Sequence, residues 1–277
     1  MIRMLPRLSH GRANAFIGGG LVLLLVLVAL VGPLVAPFDP LKLNLRSALK
    51  GPSDTFLLGA DEFGRDVLSR LIYGARNTAW IAFASVAFAV FFGLCFGVLA
   101  GYLRGWCDRL IMILNDALLA FPGLLLALGI MAVSGASRDA IIIALGIAYM
   151  PAVVRVSRSS VLSVREREYI EASRVMGNSE LVTMLRHVLP NCVAPITVLA
   201  TTMFGWAILA ESALSFLGLG VPPPAPSWGN MLSTARPYIT QAPALIILPG
   251  LCISITLLGI NMLGDALRDW LDPKMQS

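Results

Sequence analysis

The stretch NTAWIAFASVAFAVFFGLCFGVLAGYL, residues 77–103, lies between Arg76 and Arg104 and contains no charged side chain. A helix needs about 20 apolar residues to cross the hydrocarbon core of a bilayer, so this stretch is long enough to span it. It predicts a transmembrane helix and indicates that the fold is built inside a membrane.

The composition of the whole chain agrees with a membrane protein. Of the 277 residues, 57% are hydrophobic and 13% are charged, and the mean hydropathy is +0.80. Soluble domains have about 45–50% apolar and about 25% charged residues, so this composition excludes a disordered chain and argues against a soluble globule.

The net charge of +5 comes from scattered basic residues, which argues against a nucleic-acid-binding patch. The four cysteines lie far apart and support neither a disulfide framework nor a zinc site.

Five further apolar runs predict five more spans. The fourth span is free of charge only over 140–154, but Arg155 and Arg158 can extend their side chains to the interface and lengthen it. The sequence therefore predicts an all-α integral membrane protein with six transmembrane helices. The five runs are 15–36, the interval between Asp116 and Arg138, 140–158, 190–221 and 243–264.

The distribution of lysine and arginine predicts the orientation. With the N-terminus inside, thirteen of the 21 basic residues fall on the inner side and eight on the outer side. Because basic residues accumulate in cytoplasmic segments, both termini are predicted to be cytoplasmic.

The first run is too long for a signal-peptide core and no A-x-A cleavage site follows it, so we expect an uncleaved span. The expected organisation is a cytoplasmic segment at 1–14, a first span at 15–36, an extracytoplasmic segment at 37–76, a five-helix core at 77–264 with a cytoplasmic loop at 156–189, and a cytoplasmic tail at 265–277.

Residues 58–76 of the extracytoplasmic segment predict an amphipathic helix. Four apolar residues would lie on one side and three charged residues on the other, so the helix would lie along the outer interface before the second span. These residues are Val67, Leu68, Leu71 and Ile72, opposite Glu62, Asp66 and Arg70. The proline-rich stretch 221–229 predicts an irregular loop.

The cytoplasmic stretch REREYIEASRVMGNSELVTMLRHVLP, residues 165–190, predicts two short helices joined by a sharp turn. Gly177 suits the left-handed position that ends a helix, and Asn178 or Ser179 can cap the next one. The first helix would present one face of mostly small residues, which is suited to a groove on another protein. That face comprises Tyr169, Ala172, Ser173 and Met176, flanked by Glu171. A solvated loop with an interfacial helix is the alternative.

Two features inside the spans are candidate structural or functional sites. Small residues recur at every fourth position of the second span, which allows two helices to approach closely in lipid, either within this chain or between subunits. They are Ser85, Ala89, Gly93, Gly97 and Gly101. Glu211, in the outer part of the fifth span, is a candidate pore or packing residue because intramembrane acids are rare.

Motifs of catalysis are absent from the sequence. There is no G-x-x-x-x-G-K-[ST] loop for a nucleotide, no H-E-x-x-H and no G-x-S-x-G, and the only histidines are His10 and His187. We therefore expect no enzyme activity from this chain and no bound cofactor.

The 165–190 stretch resembles the EAA loop of ABC-importer permeases. Glu171 and Ala172 are followed by Gly177, six residues after the glutamate, and by Leu189 and Pro190. Further stretches look like those of the second, C-type permease of the dipeptide, oligopeptide and nickel branch. They are LGADEFGRDVLSRL (58–71), LSFLGLGV (214–221), PSWG (226–229) and LGDALRDWLDP (263–273). Two departures are Ser173, where the loop usually has a second alanine, and His187, where an apolar residue is common.

This resemblance implies a type I ABC-importer permease bundle of the MetI-like kind in the bacterial inner membrane. It implies four partners: a homologous permease, two cytoplasmic ATPases that carry ATP and Mg²⁺ and receive the EAA helix, and an extracytoplasmic solute-binding protein. It also implies short peptides as cargo, with nickel or a nickel chelate as the alternative and glutathione-like or opine-like molecules after it. The spans contain no histidine and their cysteines are dispersed, which gives bare nickel few ligands.

Two other classes of protein are weaker alternatives. A proton-coupled secondary transporter would use Glu211 as its carrier, but such a protein is expected to have more than one titratable group in its spans. A membrane assembly factor that transports nothing would leave the EAA spacing without an explanation.

The predicted topology can be tested by labelling single cysteines, introduced into a cysteine-free variant, with a membrane-impermeant reagent in intact cells. A cysteine near Lys50 should react and one near Glu180 should react only after permeabilisation. The opposite pattern would invert the topology.

Overall fold

The computed structural model describes residues 7–271 as a bundle of helices. Within that range five helical stretches are long and apolar enough to cross a membrane, and a bent pair of shorter helices brings the number to six if it counts as one span. The predicted all-α membrane fold is therefore confirmed. Residues 1–6 and 272–277, from the expected terminal segments, lie outside the described range. The helices are α1 (Arg7–Leu30), α2 (Gly32–Val35), α3 (Val67–Leu103), α4 (Gly105–Leu119), α5 (Gly123–Ser134), α6 (Arg138–Arg165), α7 (Glu168–Val175), α8 (Glu180–Thr183), α9 (Leu189–Phe216), α10 (Trp228–Ala235) and α11 (Ala244–Leu271), with a π-helical stretch at Met184–Val188.

The separate interfacial helix predicted at 58–76 is wrong. Helix α3 begins at Val67, after Asp66 caps it by accepting a 2.8 Å hydrogen bond from the Ser69 amide, and it continues for 37 residues into the second span. At 1.5 Å per residue it is about 55 Å long, well beyond the thickness of the hydrocarbon core. Val67 and Leu71 are buried in the protein core beside Trp228, so the apolar face of this region covers protein instead of lipid.

Charged residues of the 37–66 segment form a buried ion cluster beside the start of α3. Arg65 Nε lies 2.6 Å from Asp61 Oδ2, and Arg70 Nε lies 3.2 Å from the same oxygen. Arg65 Nη2 lies 3.0 Å from Glu62 Oε1. Burial raises the pKa of the Glu62 carboxyl, and the neighbouring Asp61 carboxylate raises it further. These charges therefore pair with one another and do not form the polar face of an interfacial helix.

The third predicted span is not one continuous helix. Helices α4 and α5 meet at an angle of 90°, and Pro122 lies at the break. Proline cannot donate the helical hydrogen bond and disfavours helical geometry in the residue before it, which explains the interruption. With 12 residues, α5 is about 18 Å long and is too short to span alone. Helix α4 is joined to α6 by Arg158, whose Nε and Nη2 lie 2.6 and 2.7 Å from the Asp108 carboxylate oxygens.

The stripe of small residues packs against α6 of the same chain. Positions 93, 97 and 101 of α3 face positions 153, 157 and 161 of α6, a constant offset of 60 residues, so the two helices run in parallel. A methyl group at Gly97 would lie 2.5 Å from Ser157 Cβ and 2.6 Å from the Val154 carbonyl oxygen. Glycine is therefore required by the short distance between the two backbones.

Helices α9, α10 and α11 complete the bundle. Helices α9 and α11 begin where the fifth and sixth predicted runs begin, but α9 ends at Phe216, before the predicted 221, and α11 continues past 264 to Leu271, into the predicted tail. The 221–227 loop is irregular as expected. Helix α10 was not predicted. Its first turn is closed by a capping box, in which Ser227 Oγ accepts from the Asn230 amide and Asn230 Oδ1 accepts from the Ser227 amide.

Gly97→Ala is expected to destabilise the protein by about 1–3 kcal/mol, because the added methyl group must separate α3 from α6. Gly20→Ala is the matched control, since a methyl group there would meet nothing within 4 Å. The control should be neutral or stabilising by up to about 1 kcal/mol. Thermal unfolding of the detergent-purified protein measures both, and equal melting temperatures would contradict the packing argument.

Candidate functional site

The 165–190 stretch has the predicted pair of helices and the predicted turn. Helix α7 ends before Gly177, which has a φ of +85°, the left-handed conformation that favours glycine. Ser179 Oγ then accepts a 3.4 Å hydrogen bond from the Val182 amide and caps α8. We call residues 166–188 the coupling segment, from the role that the resemblance implies.

Helix α7 does not present Ser173 on the exposed face that the sequence predicts. Ser173 is 1% exposed, and its Oγ lies 3.2 Å from Thr183 Oγ1 and accepts a 3.0 Å bond from Asn178 Nδ2. Ser173, which stands where such loops usually have alanine, therefore holds α7 against α8. Its hydroxyl group has polar partners inside the segment, which is why it turns inward.

The exposed face of α7 is largely apolar. Val175 is 88% exposed, Met176 76% and Tyr169 45%, and Ala172 and Glu171 are exposed beside them. Val175 was missed, although its position three residues after Ala172 places it on the same helical face. Large apolar side chains exposed together on a short segment outside the spans are typical of a protein-interaction surface. We call Tyr169, Ala172, Val175 and Met176 the α7 face.

The other side of the coupling segment is anchored to the spans. Ile170 and Val188 are fully buried in a cluster that also contains Val161 of α6 and Cys192 of α9. Tyr102, at the end of α3, donates a 3.0 Å hydrogen bond to the Glu180 carbonyl oxygen and also contacts the Glu180 carboxylate. Sequence reasoning missed Tyr102, because nothing in the sequence indicates that residues 102 and 180 meet.

The coupling segment joins α9 through the π-helical stretch. The Leu189 amide bonds to the carbonyl oxygen of Met184, five residues earlier, and the next residue, Pro190, has no amide hydrogen to donate. Leu189 and Pro190 thus form the first turn of α9, and the chain is continuous from the coupling segment into the fifth span. The His187 and Tyr169 rings lie 6.5 Å apart, centroid to centroid, with an angle of 61° between their planes.

Glu211 lies in a packed contact between α9 and α10. Its side chain is fully buried, and its Oε1 accepts bonds of 2.9 Å from Ser215 and 2.7 Å from Ser227, the N-cap of α10. Its Oε2 has no hydrogen-bond partner among the described residues. Glu211 was predicted as a pore or packing residue, and this buried position between α9 and α10 is compatible with packing.

A large open groove of about 1230 Å³ runs along the bundle between α1, α3, α9 and α11. Most of its lining is apolar, and polar groups are concentrated near its two ends. Arg76, Asn77 and Arg138 lie at the end nearer the 37–66 segment, and Thr197 and Thr201 lie nearer the coupling segment. Glu211 does not line this groove.

Two protein families match the chain. Residues 93–277 match the binding-protein-dependent transport system inner membrane component, and residues 12–52 match the N-terminal transmembrane domain of oligopeptide transport permease C. The di/tripeptide transport system permease protein DppC of Pseudomonas aeruginosa is 47% identical over 267 residues, covering 94% of this chain and 88% of the relative. The dipeptide transport system permease protein DppC of Alkalihalophilus pseudofirmus is 43% identical over 95% of this chain and 86% of the relative. The glutathione transport system permease protein GsiD of Pectobacterium atrosepticum is 40% identical over 96% and 89%.

Solved structures share the fold at low sequence identity. An inward-facing structure of the MetNI methionine ABC transporter superposes with a TM-score of 0.61 and 20% identity, covering 73% of this chain and 96% of the other. The structure of an amino acid ABC transporter with histidines gives a TM-score of 0.56 at 15% identity, with coverage of 73% and 94%. These matches confirm the resemblance inferred from the motifs. The chain therefore belongs to the family of binding-protein-dependent transport system inner membrane components and is a multi-pass inner-membrane permease.

Proposed function

We propose that this chain forms, together with a homologous permease, the transmembrane path of an ATP-driven importer of short peptides. The observation that carries the proposal is the α7 face, an exposed apolar surface on a helix held firmly against the ends of three spans. Such a surface suits a partner that drives movement of the bundle. We assign that role to two ATPase subunits, which carry the ATP and Mg²⁺, while this chain binds no cofactor.

The orientation follows from the basic-residue distribution. Both termini and the coupling segment face the cytoplasm, where the ATPases are, and the 37–66 segment faces the extracytoplasmic side. A solute-binding protein delivers the cargo to that side.

Force on α7 reaches the spans by two routes. Tyr102 connects Glu180 to the end of α3, and the π-helical stretch connects the coupling segment to α9. Both helices line the groove, so movement of the coupling segment changes the width of the groove.

The cargo assignment is supported by the relatives. Two of those described above are named for dipeptides or tripeptides, and one is named for glutathione, which is itself a tripeptide. These names favour peptides over the nickel alternative.

Deletion of this chain should abolish growth on a dipeptide or tripeptide supplied as the only source of a required amino acid, because the peptide no longer enters. Nickel-dependent urease or hydrogenase activity should stay unchanged. Growth with the free amino acid is the control. Normal growth on peptides with loss of the nickel enzyme would overturn the cargo assignment.

Val175→Asp should separate the permease from its ATPases, because the substitution buries an unpaired charge in the contact. We expect ATPase copurification and peptide uptake to fall about tenfold or more, which corresponds to at least about 1.4 kcal/mol. Val175→Leu keeps the surface apolar and is the matched control. If Val175→Asp inserts normally, copurifies with the ATPases and transports at the wild-type rate, the α7 face is not the contact.

A further inference from the structure

Two arginines lie at similar depth at one end of the groove. Gly93 of α3 meets Val153 of α6 and Gly146 of α6 meets Phe88 of α3, which are offsets of 60 and 58 residues. Extended to the start of α6, these offsets bring Arg138 level with positions 78–80 of α3, about one helical turn from Arg76. Both side chains line the same groove, at the end nearer the 37–66 segment. Asn77, which lies between them in depth, is held by a 2.6 Å bond from its Nδ2 to the Pro226 carbonyl oxygen.

The positive charge of this pair is only weakly balanced. Among residues 7–271, no carboxylate oxygen lies within 4.0 Å of the Arg76 side-chain nitrogens. Arg138 Nε lies 3.9 Å from Asp139 Oδ1, which is beyond hydrogen-bond distance, and the Asp139 side chain is 84% exposed. Arg65 and Arg70, near the same end of the bundle, are by contrast paired with carboxylates at 2.6 and 3.2 Å.

The surroundings of the pair strengthen its attraction for an anion. Below the two guanidinium groups the groove is walled by Trp80, Phe83 and other apolar side chains. Low-dielectric walls focus the field of charges at the end of a cleft. A guanidinium group presents paired N–H donors in a plane that matches the two oxygens of a carboxylate.

We propose that Arg76 and Arg138 bind the terminal carboxylate of an incoming peptide at the entrance of the groove. The inference rests on the proposed function, because every linear peptide carries this group whatever its side chains. Recognition of the shared carboxylate, followed by an apolar groove of about 1230 Å³, accommodates peptides of different sequence.

The test uses the complete complex reconstituted in proteoliposomes, with this chain, its partner permease, the ATPases and the binding protein. Initial uptake rates are compared for alanyl-phenylalanine and for its C-terminal amide, each at concentrations that saturate the binding protein. Saturation removes the binding protein's own preference from the comparison. The variants are Arg76→Gln, Arg138→Gln and the double variant, and Arg46→Gln is the control because Arg46 is exposed outside the groove.

We expect the wild-type complex and Arg46→Gln to import the free acid about tenfold faster than the amide, the size of effect expected when a charge-assisted hydrogen bond is lost. In the double Arg→Gln variant the ratio should fall to about one, because the acid loses its advantage. Arg76→Lys, tested with Arg138 intact, should keep a ratio between these values.

Other roles for the two arginines give different results. If they hold an anionic lipid headgroup or an acidic residue of the partner permease, both cargoes slow equally and the ratio stays at the wild-type value, which overturns the inference. If the wild-type complex imports neither cargo, the proposed function fails instead.

Discussion

The close packing of α3 against α6 is the contact on which the rest of the structure depends. Apolar helices in a bilayer gain little from the hydrophobic effect when they associate, so close van der Waals contact must hold them together. Gly93, Gly97 and Gly101 allow that contact, because a side chain at any of them would collide with α6. The same packing fixes the relative depth of the two helices. It thereby sets which residues of α3 and α6 share a level at each end of the bundle.

Helix α3 connects the two ends of the protein as one continuous element. At one end, Trp228 Nε1 donates a 3.0 Å bond to the Leu71 carbonyl oxygen and the Trp228 amide donates a 3.1 Å bond to Thr78 Oγ1, which fixes α10 and the loop before it. At the other end, Tyr102 holds the coupling segment through Glu180. The entrance of the groove and the α7 face are therefore attached to the same helix. A helix about 55 Å long without an internal proline is a stiff connection between them.

The coupling segment has the reverse of the arrangement usual in a soluble helix. Ser173 is inside, where Thr183 and Asn178 provide hydrogen-bond partners, whereas Val175 and Met176 are outside. Glu211 is likewise a buried polar residue with partners in the same chain, because it accepts hydrogen bonds from Ser215 and from Ser227, the N-cap of α10. In both places a polar group joins two elements of this chain, which leaves apolar surface for contacts with other subunits.

The sequence by itself determined five of the six spans, the helix–turn–helix at Gly177 and the family, because hydrophobic run length, proline, glycine and motif spacing act through neighbouring residues. Tertiary structure decided the start of α3, the inward position of Ser173, the buried position of Glu211 and the partner of the glycine stripe. Val67 and Leu71 have the pattern of an interfacial helix, yet Trp228, more than 150 positions later, covers them. Periodicity identifies an apolar face, but the element that covers it depends on contacts distant in sequence. For the same reason, the contact of Tyr102 with Glu180 and the position of Arg76 and Arg138 on one groove become visible only when the helices are packed.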